Sequence, residues 1–255
     1  MHLKKAILFI TILLNISCVY SQKGFQNLQD YDYEPYHFGF VLGINQMGFA
    51  IKQNISQYNT PFDATQFNGL NGQIDTLLSV EPQSTTGFTI GIVGNLRISD
   101  HFDLRFIPSL SFGERSLIYT SHVSNLNSGR TLVTEPMSIK STMLEFPLDL
   151  KYKGKRITNW RPYILGGAKY VMDLSSDANK HSDQAGIFIT KLRQSDLYGE
   201  LGAGVDLYFD WFKMGIEAKM SYGLRDVLVR DNTSMYTTSI NRLGSKIFQL
   251  SFTFE

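Results

Sequence analysis

Strict alternation of apolar and polar residues recurs eight times along the chain, the pattern of strands with one apolar face. The first stretch is about His37–Ile44, with Phe38, Phe40, Leu42 and Ile44 on one side. The second, 87–98, carries Phe88, Ile90, Ile92, Leu96 and Ile98; the third, 102–115, carries Phe102, Leu104, Phe106, Leu110 and Phe112. The fourth, 142–152, has Leu144, Phe146, Leu148, Leu150 and Tyr152. The fifth, 161–171, has no clear register, because Ile164-Leu165-Gly166-Gly167 breaks the alternation. The sixth, 195–210, the seventh, 212–222, and the last, with Phe248, Leu250, Phe252 and Phe254, alternate again.

The connections select the fold class. Ser99-Asp100-His101, the stretch 153–160 and Asp210-Trp211 are short, whereas 45–86, 116–140, 172–196 and 224–245 are long. Short and long links in strict alternation predict a transmembrane, eight-stranded, antiparallel up-and-down β-barrel of the OmpA-like kind, with tight periplasmic turns and long extracellular loops. An even strand number then puts both termini on the periplasmic side. The expected location is the outer membrane, with its lipid and lipopolysaccharide as surroundings.

Opposite the apolar rows stand Arg97, Asp103, Arg105, Glu145, Asp149, Lys151, Glu200, Asp206, Glu217 and Lys219. In a soluble sandwich these would be the solvated face. In a barrel this small the inner face fills the lumen with side chains, so mixed charges predict a plugged interior and no pore. Aromatic residues at Trp160, Tyr163, Tyr208, Phe209, Trp211, Phe212, Phe252 and Phe254 suit the headgroup zones. Mid-strand glycines such as Gly166, Gly167, Gly202 and Gly204 permit tight bends.

Lys4-Lys5 followed by the apolar run Ala6–Ile16 and the small Ser21 read as a secretory signal peptide over 1–21. A periplasmic segment, 22–36, and the barrel, 37–255, follow. The single cysteine, Cys18, lies in the signal, which leaves a mature chain without thiol chemistry; lipidation at Cys18 is the alternative. A net charge of +1 gives no field for nucleic acid.

Candidate chemistry is sparse, and no catalytic residue, metal or cofactor is expected. His122-Val123-Ser124 has the spacing of lipid A deacylase barrels, but sits in a polar stretch without a nearby carboxylate. Ser99-Asp100-His101 reads as a turn. Gly199-x-x-Gly202-x-Gly204 lacks the helix a nucleotide site needs. Asp173, Asp177, His181 and Asp183 could hold calcium or be solvated loop charge. Asp30–Tyr36, acidic and aromatic, could dock a periplasmic partner or be a disordered leader. Phe252 and Phe254 on the last strand resemble the signal read by the barrel-assembly machinery.

Several ordered blocks carry a closer resemblance. They are Gly91–Arg97, Phe102–Arg115, Leu144–Lys153, Arg161-Pro162-Tyr163 with Gly166-Gly167, Met220–Asp231 and His37–Asn45. Together they resemble the PorT/SprT family of outer-membrane barrels of the type IX secretion system. The resemblance implies a non-enzymatic accessory or assembly role in exporting cargo across the outer membrane, linked to gliding or surface-protease display. Other type IX components would be its partners. A generic structural or adhesive barrel is the second reading, and a lipid A-modifying barrel enzyme the third.

Overall fold

Every apolar row becomes a strand. The computed structural model describes residues 25–58, 73–125, 129–175, 192–229 and 239–255, so the expected signal peptide and Cys18 lie outside the described residues. The strands are β1 (Tyr36–Gln53), β2 (Gln73–Arg97), β3 (Phe102–Phe106), β4 (Ser109–Asn125), β5 (Gly129–Lys153), β6 (Trp160–Asp173), β7 (Ser195–Tyr208), β8 (Lys213–Gly223) and β9 (Ile240–Phe254). β3 and β4 are one traverse. It is interrupted at Ile107-Pro108, because proline has no N–H to give to the ladder. The register with β5 is unchanged across the break: Phe106 faces Leu148 and Ser109 faces Glu145.

The sheet is a closed antiparallel ring of eight traverses. β1 pairs with β2, Tyr36 facing Leu96, and also with β9, Phe40 facing Phe254. Closure satisfies the backbone groups that an open edge would leave bare in lipid. Three connections at one end are tight. Asp210-Trp211 forms a two-residue hairpin, in which the Phe209 N–H donates to the Phe212 carbonyl at 3.0 Å. The Ser99 hydroxyl accepts from the Phe102 N–H at 3.1 Å, which makes Ser99-Asp100-His101 a turn. Thr158 turns the chain with a φ of 52°. This is the turn end of the barrel.

At the other end, the loop end, the expected long loops need correction. Much of 45–86 and nearly all of 116–140 is strand: β1 runs on to Gln53, β2 begins at Gln73, and β4 and β5 are separated only by 126–128. Links therefore do not alternate short and long without exception; the asymmetry lies in strands that overrun the apolar belt at one end. Alternation hid this because β2 carries register shifts against β4 at Ile74/Thr76, Leu77/Ser79 and Ser84/Phe88. Each bulge swaps the face on which side chains fall.

Two zones result. In the belt, Phe38, Phe40, Leu42, Ile44, Phe88, Ile90, Ile92, Leu148, Leu150, Phe248 and Leu250 point outward and are exposed. The exposed row from Phe88 to Ile98 has the length of a tilted membrane-spanning strand. Beyond the belt the polarity inverts. Phe49, Leu77, Val80, Leu117, Tyr119, Leu192, Val227, Leu228, Ile240 and Leu243 form a buried apolar core. Lys52, Glu81, Gln83, Lys140 and Arg242 face outward there. Met47, Met143, Val171, Tyr198 and Ile247 form the layer between the two zones.

Candidate functional site

The belt's inner wall is where the alternation places its charges, and there they meet across the ring. Arg105 on β3 reaches Glu217 on β8, the opposite wall, with Nη1 to Oε2 at 2.7 Å. Lys151 on β5 grips both carboxylate oxygens of Asp206 on β7, at 2.9 and 2.7 Å. Lys219 lies 3.2 Å from Asp149, 3.5 Å from Glu200 and 3.8 Å from Glu217. Asp103 pairs with Lys153 at 2.6 Å. Nine of the ten lumen residues read from sequence therefore lie buried in ion pairs across or along the lumen, counting Glu145 below. Arg97 does not join them. It sits at the turn-end mouth, paired with Asp100, and donates to the Tyr33 carbonyl at 3.1 Å.

Several partners were not read from the sequence. Lys169 lies 2.9 Å from Glu145 and 3.1 Å from Glu200. Lys213 and Glu255 pair at 2.8 Å, and Glu255 also lies 3.6 Å from Arg105. Nearer the loop end, Arg115 on β4 reaches Asp173 on β6 at 2.7 Å and the Ser245 hydroxyl on β9 at 3.0 Å. Tyr163, expected in a headgroup zone, is instead 4% exposed inside the lumen. Its hydroxyl donates to Glu217 at 3.0 Å, and Lys151 stands 3.7 Å above its ring. The ring has room because Gly204 and Gly215 carry no side chain: a Cβ on Gly204 would fall 2.5 Å from the Tyr163 ring, and one on Gly215 3.4 Å from its hydroxyl. Continued alternation picks out Lys213 and Glu255, but Lys169 lies in the stretch whose register Gly166-Gly167 obscures.

Ion pairs taken out of water contribute little net stability, yet removing one partner leaves a costly bare charge. Each lysine here faces one to three carboxylates, so the network is mutually compensated. Its members bridge opposite walls at hydrogen-bond distance and are buried, so side chains fill the belt's interior.

The turn end is closed by the segment before β1. Residues 25–34 fold back over the mouth: within Asp30–Tyr36, Tyr31 and Asp32 engage the barrel, while Asp30, Tyr33, Glu34, Pro35 and Tyr36 stay exposed. The Asp32 carboxylate lies 3.2 Å from Arg156 and 3.1 Å from Arg161, and accepts from the Tyr208 hydroxyl at 2.9 Å. Tyr208 is thus a lumen-end anchor and not a headgroup aromatic. The Tyr31 ring stacks on His37 at 3.8 Å, and its hydroxyl donates to Glu255 at 3.3 Å. Asn27 donates its N–H to Asn159 at 2.9 Å and its side-chain amide to the Tyr208 carbonyl at 3.2 Å. Arg156 also donates to the Asn27 carbonyl. Burial opposes ionisation of Asp32, but the Tyr208 hydrogen bond and the Arg161 and Arg156 cations outweigh it and hold the carboxyl below its usual range. Burial and the nearby Glu255 push the Tyr31 hydroxyl far up, so it remains a donor.

The other candidates separate. His122 lies in β4 opposite Leu132, not in a loop. Asp173 is engaged by Arg115, while Asp177, His181 and Asp183 lie outside the described residues. Among the described residues no group of three or more potential ligands is placed to hold a metal. Phe252 and Phe254 face outward beside the seam between β9 and β1, and the Phe254 ring stacks on Phe40 at 4.9 Å.

A sequence model described as "Outer membrane protein beta-barrel domain" matches residues 21–229. A search of curated proteins finds no match. Among solved structures, the chain is similar to the Neisserial surface protein A, with 12% identity, 86% of this chain and 98% of that chain covered, and a TM-score of 0.41. It is similar to OprG of Pseudomonas aeruginosa, with 12% identity, coverage of 92% and 98%, and a TM-score of 0.36. The N-terminal barrel domain of Pseudomonas aeruginosa OprF gives 17% identity, coverage of 84% and 96%, and a TM-score of 0.31.

Proposed function

This chain belongs to the outer membrane protein beta-barrel domain family, and from that premise we propose that it serves type IX protein secretion as a non-enzymatic accessory barrel. It is an outer-membrane barrel of the OmpA-like type. The observation that carries the accessory role is the filled lumen, capped at its turn end by Asp32 on Arg156, Arg161 and Tyr208. Such a barrel conducts no cargo; it acts through its surfaces or during assembly of the export machinery. The link to secretion itself rests on the ordered blocks that resemble the PorT/SprT family, above all Phe102–Arg115 and Leu144–Lys153. In this reading both termini are periplasmic, the loop end faces outward, and the partners are other type IX components. Phe252 and Phe254 would serve the barrel-assembly machinery during insertion.

Deleting the gene and measuring cargo in the medium and on the surface tests the reading. Cargo trapped in the periplasm, restored by the intact gene, supports it. Normal secretion would sink it and favour a structural or adhesive barrel. The second reading has its own support in the loop-end head, whose independent apolar core holds a surface clear of the membrane. An altered lipid A mass in the deletion strain would instead point to a lipid-modifying enzyme.

A further inference from the structure

On the outer wall of the barrel, at the boundary between belt and head, the ladder between β2 and β4 opens. Pairing stops at Ser84 opposite Arg115 and resumes at Phe88 opposite Phe112, so Thr85, Thr86 and Gly87 oppose only Gly113 and Glu114. The bulge leaves a groove of about 410 Å³ lined by residues 85–88, 112–114 and 140–142. Its floor is the stacked pair Phe88 and Phe112, with ring centroids 4.7 Å apart. These rings belong to the apolar belt, and Phe88 is 56% exposed. Its lip is polar: Thr86 and Lys140 are exposed, Glu114 and Thr142 are half-buried, and Glu114 faces Lys140 across the β4–β5 ladder.

Behind the groove the wall is close-packed on its lumen side. A Cβ on Gly87 would lie 1.9 Å from the Phe112 carbonyl oxygen and 2.6 Å from Asn45, and one on Gly113 would lie 2.8 Å from the Met47 sulfur. An occupant therefore enters from the membrane. The groove is continuous with the lipid-facing belt, and it spans the height at which acyl chains give way to headgroups.

We propose that this groove binds a glycolipid with a phosphorylated sugar headgroup from the leaflet at the loop end, one acyl chain lying on Phe88 and Phe112. The Lys140 ammonium meets a phosphate as a charge-assisted donor. Thr86, Thr142 and the Glu114 carboxylate suit sugar hydroxyls, which a choline or ethanolamine headgroup lacks. The leaflet assignment rests on the orientation proposed above, with the loop end outside.

The test uses the purified full barrel in detergent, loaded with bis-phosphorylated lipid A, stripped by detergent exchange and weighed by native mass spectrometry. The wild type retains one lipid A, and Lys140→Glu lowers retention about tenfold, the scale of one charge-assisted contact. Phe88→Ala with Phe112→Ala lowers it as well. Lys246→Glu, at a similar height on β9, leaves it unchanged; heat-shifted gel mobility confirms that each variant is folded. The proposal is overturned if the wild type retains no lipid A, if Lys246→Glu weakens retention as much as Lys140→Glu, or if dephosphorylated lipid A or phosphatidylethanolamine is retained equally well. Orientation is read separately. Lys52→Cys labelled by an impermeant maleimide on intact cells supports the loop end outside, and labelling only after permeabilisation removes the leaflet assignment without touching the groove.

Discussion

β5 passes through two zones built on opposite rules. In the belt it turns Glu145, Asp149 and Lys151 inward and Leu148 and Leu150 outward. In the head it packs Met137 and Ile139 against the core and exposes Ser138 and Lys140. β9 does the same: Gln249, Ser251 and Thr253 point inward below, whereas Ile240, Leu243 and Ile247 do so above. The backbone and its two-residue period are shared. Only the medium outside the wall changes, and with it the side of the sheet that must be apolar. In the head, water outside makes apolar burial inside favourable. In the belt, lipid outside removes that drive, and the lumen is held by mutually compensated charges.

The sharpest way to separate the zones is to remove a single lumen cation. Lys219→Met keeps the volume but takes from Asp149 its cation, while Glu200 and Glu217 keep Lys169 and Arg105. It should cost about 3–5 kcal/mol, as breaking buried ion pairs does, read by urea unfolding in lipid vesicles. A cost near zero would mean that water already solvates the lumen, contrary to a filled interior.

Leu243→Ala strikes the other zone, where the side chain is fully buried in the head core. It should cost about 2–5 kcal/mol through the cavity left behind, and the loss should be local. Protease cleavage in the overrunning ends of β2, β4 and β5 should rise while the belt keeps its heat-shifted mobility. Simultaneous loss of both would show that head and belt are one cooperative unit.

These two zones were unequally legible in the sequence. The belt was visible because lipid imposes an unbroken apolar row, as from Phe38 to Ile44 or from Phe248 to Phe254. The head was not, because bulges in β2 shift the parity; the one at Leu77/Ser79 places Leu77 and Val80, three residues apart, in the same core. Lumen charges were legible wherever the period held. Lys169 was missed because Gly166 and Gly167 carry no side chain to mark a face; Gly167 is required there, since a Cβ would lie 2.2 Å from the Leu148 carbonyl oxygen. The cap was illegible because Asp32 acts through residues more than a hundred positions away, and no periodicity marks such contacts.

The smallest effect is expected at that cap. Asp32 titrates below its ordinary value in the folded protein, so its contribution is complete above the unfolded-state value, near pH ~3.9, and is lost only as the pH falls through the folded one. Hydrogen exchange in residues 25–34, taken relative to the intrinsic rate at each pH, should be the same at pH 7 and pH 5 and rise in stronger acid. Asp32→Asn should raise it at pH 7 by about fivefold, equivalent to about 1 kcal/mol for a half-exposed cluster. Equal exchange in the variant and the wild type would mean that Asn27, Tyr31 and Arg156 hold the cap without Asp32.

The inversion of polarity at the end of the belt is tested most directly by nitroxide labels on outward positions of β9 in lipid vesicles, one at a time at Arg242, Lys246, Phe248, Leu250 and Phe252. Collision with oxygen and with a water-soluble nickel chelate reports the medium at each site. Labels at 248, 250 and 252 should collide with oxygen and be shielded from nickel, the label at 242 should show the reverse, and the crossover should fall near 246. A label at 250 open to nickel, or one at 242 shielded like its neighbours in the belt, would contradict the account.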